Sequence, residues 1–189
     1  MSEKLKEYLE LFFDKSIFIP TKTIELTGEV DDDMYRTALI GLHALDSMSG
    51  EISIKLRSEG GSVEVARAIT DLITGCKNRV RITCYGEVAS AATIILQAAD
   101  ERIMRESSKL LIHVGSEGVA RDHPRNVDAQ YEDLRADETW IEDIYLKKIR
   151  EKKPRFTRQK MKDLLQWDKF IYPKEALELG LIDSLEEAQ

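Results

Sequence analysis

The sequence predicts an α/β fold with a mostly parallel sheet, and three observations predict it. Short runs alternate polar and apolar residues, as in Thr23-Ile-Glu-Leu-Thr27 and Glu51-Ile-Ser-Ile-Lys-Leu-Arg57, the period of a strand. Between these runs lie stretches whose apolar residues recur at helical spacing, the first carrying Met34, Ala38, Leu39, Leu42, Leu45 and Met48. Glycines punctuate the joins. Strands alternating with helices at this spacing make β-α-β units, whose strands run parallel.

Each element follows in order. Leu5, Tyr8, Leu9, Phe12 and Phe13 make a short amphipathic helix over 3–14, which stops before Pro20. A strand follows at 23–27, ended by Gly28. Asp31-Asp-Asp33 caps the next helix and suits its positive end; Ser49-Gly50 closes that helix. After the strand at 51–57, Ser58-Glu-Gly-Gly61 reads as a tight turn and Ser62 as a helix cap, with Gly75 past that helix's end. Arg79–Cys84 is a third strand. Val88–Ala99 reads as a buried helix of small and apolar residues. Arg102–Met104 and Leu110–His113 are short strands, and Val114–Pro124 reads as a loop. A long helix spans about 125–152, its apolar residues sparse among charges, so one narrow stripe meets a partner. That pattern fits either a helix projecting toward another subunit or a surface helix closing the domain. Pro154 stops it. A short helix (158–167), Phe170-Ile-Tyr, and a helix from Pro173 to Gly180 complete the chain.

Composition excludes several functions. The 189 residues are one domain's worth, with 28 Lys+Arg against 35 Asp+Glu and a net charge of −7. That balance argues against a nucleic-acid binder, which needs a basic surface. No apolar run approaches the roughly 20 residues that span a bilayer, and the charged N-terminus does not read as a secretory signal. Cys76 and Cys84 form neither a disulfide framework nor a zinc motif; they read as small core residues in a reducing cytoplasm. No metal or cofactor is implied.

Nucleophilic catalysis needs an exposed hydroxyl, a base, and N–H donors aimed at the developing oxyanion. Ser90, in Gly86-Glu-Val-Ala-Ser-Ala-Ala92, follows a strand and opens a helix, where free N–H groups are exposed. His113 ends a strand 23 residues later and can reach the same sheet edge; the alternative is a structural histidine. His43 reads as structural and His123 as solvated in the loop. The backbone of Ser58–Gly61 can line an anion site.

Taken together, Thr23-Ile-Glu-Leu-Thr-Gly-Glu-Val30, Ser58-Glu-Gly-Gly-Ser-Val63, Gly86-Glu-Val-Ala-Ser-Ala91, Leu111-Ile-His113 and Pro173-Lys-Glu-Ala-Leu-Glu-Leu-Gly-Leu-Ile-Asp183 occur in an order that resembles the ClpP family, the proteolytic subunits of ATP-dependent Clp proteases. The resemblance runs from about Thr23 to Ser184. It implies a ClpP/crotonase-type β-α-β superhelix, residues 1–189 forming one peptidase domain, with the helix at about 125–152 as a protruding handle that interdigitates between stacked rings of a homo-oligomer. It implies a serine endopeptidase acting on small peptides or unfolded chains in a chamber, with Ser90 as nucleophile, His113 as base, and the N–H groups of Gly61 and Ala91 as oxyanion hole.

The departures carry expectations too. Glu59 replaces the proline of the family's Ser-Pro-Gly-Gly, which places a carboxylate near the substrate site and loosens the turn. The family's catalytic aspartate falls on Leu164. Asp163, next to it, is the first candidate for the third residue and Asp168 the second; a serine–histidine dyad or an inactive site are the others. Positions of the family's unfoldase-docking pocket fall on Ser53, Lys55 and Gly75, so an AAA+ unfoldase is expected not to dock by the standard contact. Two other functions remain in view: an inactive ring subunit with an assembly role, favoured by Leu164 and Glu59, and a crotonase-type acyl-CoA enzyme, disfavoured by the serine–histidine pair.

Overall fold

Alternating runs become strands because one face can be buried. In the computed structural model, which describes residues 3–113 and 123–186, the alternating apolar positions within 23–27, 51–57 and 79–84 turn to one side. Ile24 and Leu26, Ile52, Ile54 and Leu56, and Ile82 and Cys84 are buried. The intervening residues form a polar face laced with ion pairs, among them Lys55–Glu25 at 2.9 Å and Lys109–Glu87 at 2.7 Å.

The chain runs α1 (Glu3–Lys15), β1 (Ile17–Phe18), β2 (Thr23–Val30), α2 (Asp32–Asp46), β3 (Ile52–Gly61), α3 (Val63–Thr74), β4 (Val80–Ala89), α4 (Ala91–Gln97), β5 (Glu101–Arg105), β6 (Lys109–Ile112), α5 (Pro124–Lys152), α6 (Arg158–Leu165), β7 (Lys169–Ile171), α7 (Pro173–Leu179) and β8 (Ser184–Glu186). The sheet order is β1-β2-β3-β4-β5-β8, with β6 pairing β4 and β7 off that path. All pairs are parallel except β1–β2 and β6–β7. Helices α2, α3 and α4 cover the apolar face with Leu42, Leu45, Ile69, Ile73 and Ile95. At Gly41 a Cβ would lie 2.7 Å from Ile24 Cδ1, so only glycine lets α2 sit this close to the sheet.

The caps follow the sequence. Asp31 Oδ1 accepts from the N–H groups of Asp33 and Met34 at 3.0 and 2.9 Å, and Ser62 Oγ accepts from Val65 N–H at 3.2 Å. Two boundaries differ, both where a strand outlasts its alternation. Ser58–Gly61 is not a loosened turn: β3 continues through it, because Glu29 and Val30 pair with Gly60 and Gly61 beyond a bulge in β3. Similarly β4 continues through Gly86 to Ala89, because Glu87–Ala89 pair with β6; helix α4 therefore begins at Ala91 and not at Val88. The loop expected at 114–124 lies outside the described residues up to 122. His123 is the cap of α5, its Nδ1 accepting from Arg125 N–H at 3.3 Å. His43 lies on the exposed side of α2.

From Arg125 to Trp140, α5 buries no residue; from Ile141 onward Ile141, Tyr145, Leu146 and Ile149 enter the core. The junction is clamped by Arg67, which pairs with Asp137 and stacks 4.1 Å from the Trp140 ring centroid. Beyond it, Arg158 of α6 binds Glu142 at 2.8 Å and Asp143.

The C-terminal segment is fastened by one buried guanidinium. Arg102 donates to Gln97 Oε1 (2.8 Å), the Gly180 carbonyl (2.9 Å) and both oxygens of Asp183 (2.6 and 3.0 Å). Burial alone would raise the Asp183 carboxyl, but the hydrogen bonds and charge of Arg102 outweigh it and hold it below its ordinary value. Removing the carboxylate leaves a buried cation underpaired. Asp183→Asn is expected to lower stability by about 2 kcal/mol at neutral pH. A depressed carboxyl contributes above its ordinary pKa and loses that contribution as pH falls through the folded value. The gap between wild type and variant in denaturant titrations therefore closes below about pH 4.

Candidate active site

Three strand ends meet where β6 lies between β4 and β7. On one side Ala89 pairs with Leu111, and Ser90 N–H donates to the Leu111 carbonyl at 2.8 Å. This brings the residue after β4 beside the residue after β6. On the other side β7 runs antiparallel to β6 with Ile112 opposite Lys169. The same register carried one step further sets His113 opposite Asp168.

The side chains complete the pattern. His113 Nδ1 lies 2.9 Å from Asp168 Oδ1, and His113 Nε2 lies 2.8 Å from Ser90 Oγ. An ionised carboxylate only accepts, so Nδ1 carries the proton. With the imidazole neutral, Nε2 is then an acceptor, and Ser90 O–H donates to it. The imidazole is largely buried at 20% exposure, whereas Asp168 is 70% exposed.

Of the two carboxylates anticipated from sequence, Asp168 and not Asp163 reaches the histidine. Asp163 sits on the outer face of α6, where it accepts from Gln159 Nε2 at 2.9 Å, one turn back. Its neighbour Leu164 packs partly buried against the core. Helix α6 ends at Leu165, so Asp168 lies in the short connection to β7, and strand pairing, not helix position, decides which acid arrives.

Ser90 stands on a sharp elbow between β4 and α4. Its backbone angles are φ 51° and ψ −126°, a region that strains any residue with a side chain, by about 1–3 kcal/mol. Such an elbow lifts the hydroxyl clear of the sheet at the helix start. Its neighbour is the glycine pair of β3. At Gly60 (φ +101°) a Cβ would lie 2.7 Å from Ser90 Cβ and 2.8 Å from the Ala89 carbonyl oxygen. Only glycine lets that backbone approach. The Gly60 N–H is held by the buried Ser58 Oγ at 3.0 Å. Ala91, first residue of α4, has no intrahelical acceptor for its N–H, while Gly61 (φ +147°) follows at the end of β3.

Behind the elbow runs a buried chain of hydroxyls that the sequence did not signal. Thr93 Oγ1 donates to the Ser90 carbonyl at 2.6 Å, so its remaining contact, 2.5 Å to Tyr145 Oη, has the tyrosine as donor. The first fully engaged turn of α5 is thereby tied to the elbow. Burial pushes the Tyr145 phenol up to about 12, against a smaller lowering by Thr93. Cys84 is fully buried and Cys76 partly buried; burial raises both thiols. Among the described residues no group of His, Cys, Asp and Glu is arranged to hold a metal ion, and no helix is long and apolar enough to cross a membrane.

Known proteins share this architecture. The family model described as Clp protease matches residues 10–189. The ATP-dependent Clp protease proteolytic subunit of Deinococcus radiodurans is 29% identical over 182 residues, covering 94% of this chain and 83% of that one. Proteolytic subunit 1 of Tropheryma whipplei is 26% identical over 190 residues, covering 97% and 85%. A solved ClpP1 mutant from Listeria monocytogenes superposes with a TM-score of 0.78 over 90% of this chain and 94% of that one, at 23% identity. The fold is therefore that of ClpP. The chain belongs to the Clp protease family, a family of peptidases.

The Tyr145 phenol gives a test of the hydroxyl chain. A group whose folded pKa is raised contributes stability fully below its unfolded value, here the ordinary 10, and loses it as pH rises through the folded value of about 12. Wild-type stability is expected to decline across that window. Tyr145→Phe removes this component of the decline and lowers neutral-pH stability by about 1 kcal/mol, both readable from urea midpoints measured against pH.

Proposed function

We propose that this chain is a serine endopeptidase that hydrolyses small peptides or unfolded chains, with Ser90 as nucleophile, His113 as general base and Asp168 as the residue that orients the imidazole. The observation that carries the reading is the continuous hydrogen-bonded line from Ser90 Oγ through His113 to Asp168 at 2.8 and 2.9 Å. His113 Nε2 takes the hydroxyl proton as Ser90 Oγ attacks the scissile carbonyl. The N–H groups of Ala91 and Gly61 receive the oxyanion. The proton passes from Nε2 to the leaving amine, and the C–N bond breaks to leave an acyl ester on Ser90. Water, deprotonated by the same imidazole, then hydrolyses the ester. Asp168 holds the proton-bearing Nδ1 and stabilises the transient imidazolium.

Assembly belongs to the same proposal. From Arg125 to Trp140 no residue of α5 is fully buried in its own chain, which supports its use as a handle against a second copy in a chamber-forming homo-oligomer. The reading of an inactive ring subunit drew on Leu164 and Glu59; Asp168 beside His113 supports an active site over the first of these arguments. Helix α1 and the Lys55–Glu25 pair border a cavity of about 250 Å³ with Leu9, Phe12 and Phe18; a charged Lys55 there supports weak engagement of an unfoldase by an apolar anchor.

Labelling by a fluorophosphonate, with the oligomer sized on the same sample, tests the proposal. Wild type is expected to label and Ser90→Ala not at all. His113→Ala and Asp168→Asn should slow labelling by about 100-fold or more, while Asp163→Asn stays within about twofold. An assembled wild type that does not label overturns the peptidase reading. Slowing by Asp163→Asn but not by Asp168→Asn overturns the assignment of the third residue.

A further inference from the structure

One peptide plane lies between the nucleophile and the helix behind it. The unit joining Ser90 to Ala91 is planar and trans, so its carbonyl and its N–H point in opposite directions. The two ends meet different surroundings. The carbonyl faces the interior, where it accepts from Thr93 twice, from the backbone N–H at 2.9 Å and from Oγ1 at 2.6 Å. The nitrogen faces the glycine pair: Ala91 N lies 3.3 Å from the place a Cβ would take at Gly60, next to the Ser90 β-carbon. The N–H that the proposed mechanism aims at the oxyanion therefore has its direction set from behind, by what holds the carbonyl. Turning the plane about the single bonds on either side would swing that N–H away while leaving the strand pairing intact.

The hydroxyl bond needs one rotamer of Thr93. A helical threonine divides between two, because its Oγ1 can bond a carbonyl three or four residues back. Tyr145 favours the bonded one: its O–H donates to Thr93 Oγ1 at 2.5 Å, which leaves the threonine proton for Ser90. Both side chains are shut off from solvent, Thr93 at 0% and Tyr145 at 1% exposure, so bulk water does not substitute for either hydroxyl. In such surroundings hydrogen bonds in a chain polarise one another, and a carbonyl that accepts strongly makes the N–H of the same amide a better donor.

Resting on the peptidase reading above, we infer that Thr93 and Tyr145 are positioning residues for the oxyanion hole: together they fix the Ser90–Ala91 peptide so that the Ala91 N–H meets the charge that develops on the scissile carbonyl oxygen.

Steady-state cleavage of a fluorogenic peptide by the assembled full-length protein tests this. An oxyanion donor acts in the transition state, so misdirecting it lowers kcat and leaves KM within about twofold. Removing such a donor outright costs about 100-fold in kcat, and Thr93→Val, which keeps the shape but loses the hydroxyl, should cost at least about 10-fold. Thr93→Ser restores the hydroxyl and should stay within about threefold of wild type, whereas Tyr145→Phe should lower kcat by about threefold to tenfold, the worth of one buried hydrogen bond. Affinity for a peptide aldehyde, whose adduct with Ser90 puts an oxygen in the same hole, should weaken in step with kcat across the series. A purely structural role would not produce that parallel. Unchanged kcat in either Thr93→Val or Tyr145→Phe, a loss in Thr93→Ser as large as in Thr93→Val, or aldehyde affinity that stays constant while kcat falls overturns the inference and leaves the peptidase reading standing. If Thr93→Val does not assemble, Tyr145→Phe decides by the same criteria. If an assembled wild type neither cleaves any peptide nor takes the fluorophosphonate at Ser90, the peptidase reading falls and this inference with it.

Discussion

Four residues of strand, Lys109–Ile112, set the geometry on which the site depends. β6 is shared. Its pairing with the end of β4 fixes where Ser90 emerges, and its antiparallel pairing with β7 fixes where Asp168 emerges. His113, the next residue of β6 itself, falls between them. Strand register moves in whole steps, and a slip of one residue reverses every side chain. The three groups therefore stay aligned or are lost together. The ladder is seated by buried Leu110, Ile112 and Ile171, so backbone pairing anchored in the hydrophobic core presents the three groups to one another.

The elbow at Ser90 is the counterpart of that rigidity. A left-handed φ on a residue with a side chain persists only when its surroundings over-determine it. Here Leu111 receives the Ser90 N–H, Thr93 donates to its carbonyl, and Gly60 closes on its β-carbon. Each of these neighbours comes from a different element. Thr93 is in turn held by Tyr145, so the strained residue is braced from the sheet, from its own helix and from the root of α5.

Much of this was legible in the residues. The strands at 23–27, 51–57 and 79–84 alternate because one face is buried, and that is visible locally. The caps at Asp31 and Ser62 are visible for the same reason. What the sequence hides is pairing. Gly86–Ala89 lacks an alternating signature and reads as the run into a helix, yet β6 makes it a strand. Asp163 looks better placed than Asp168 when counted along the chain, and only the β6–β7 register reverses the order. The Thr93–Tyr145 contact joins positions 52 apart with nothing local to announce it. The serine, the histidine and the glycine pair, by contrast, stand in a sequential order that a known family shares, so they could be read without knowing any register.

Helix α5 carries two different local stabilities along one continuous rod. Its C-terminal half is sewn into the core by Ile141, Tyr145, Leu146 and Ile149, all nearly inaccessible. The stretch before the Arg67 clamp contributes no buried side chain to the core, and a helix of three or four turns is marginal in water without core packing. Opening there need not involve the rest of the molecule, so the two halves belong to separate cooperative units. In an isolated subunit the amides of the first turns would exchange with solvent far faster than those beyond Ile141. Whatever covers that surface in an assembly would thus convert a labile stretch of helix into protected structure without altering the unit that contains Ser90.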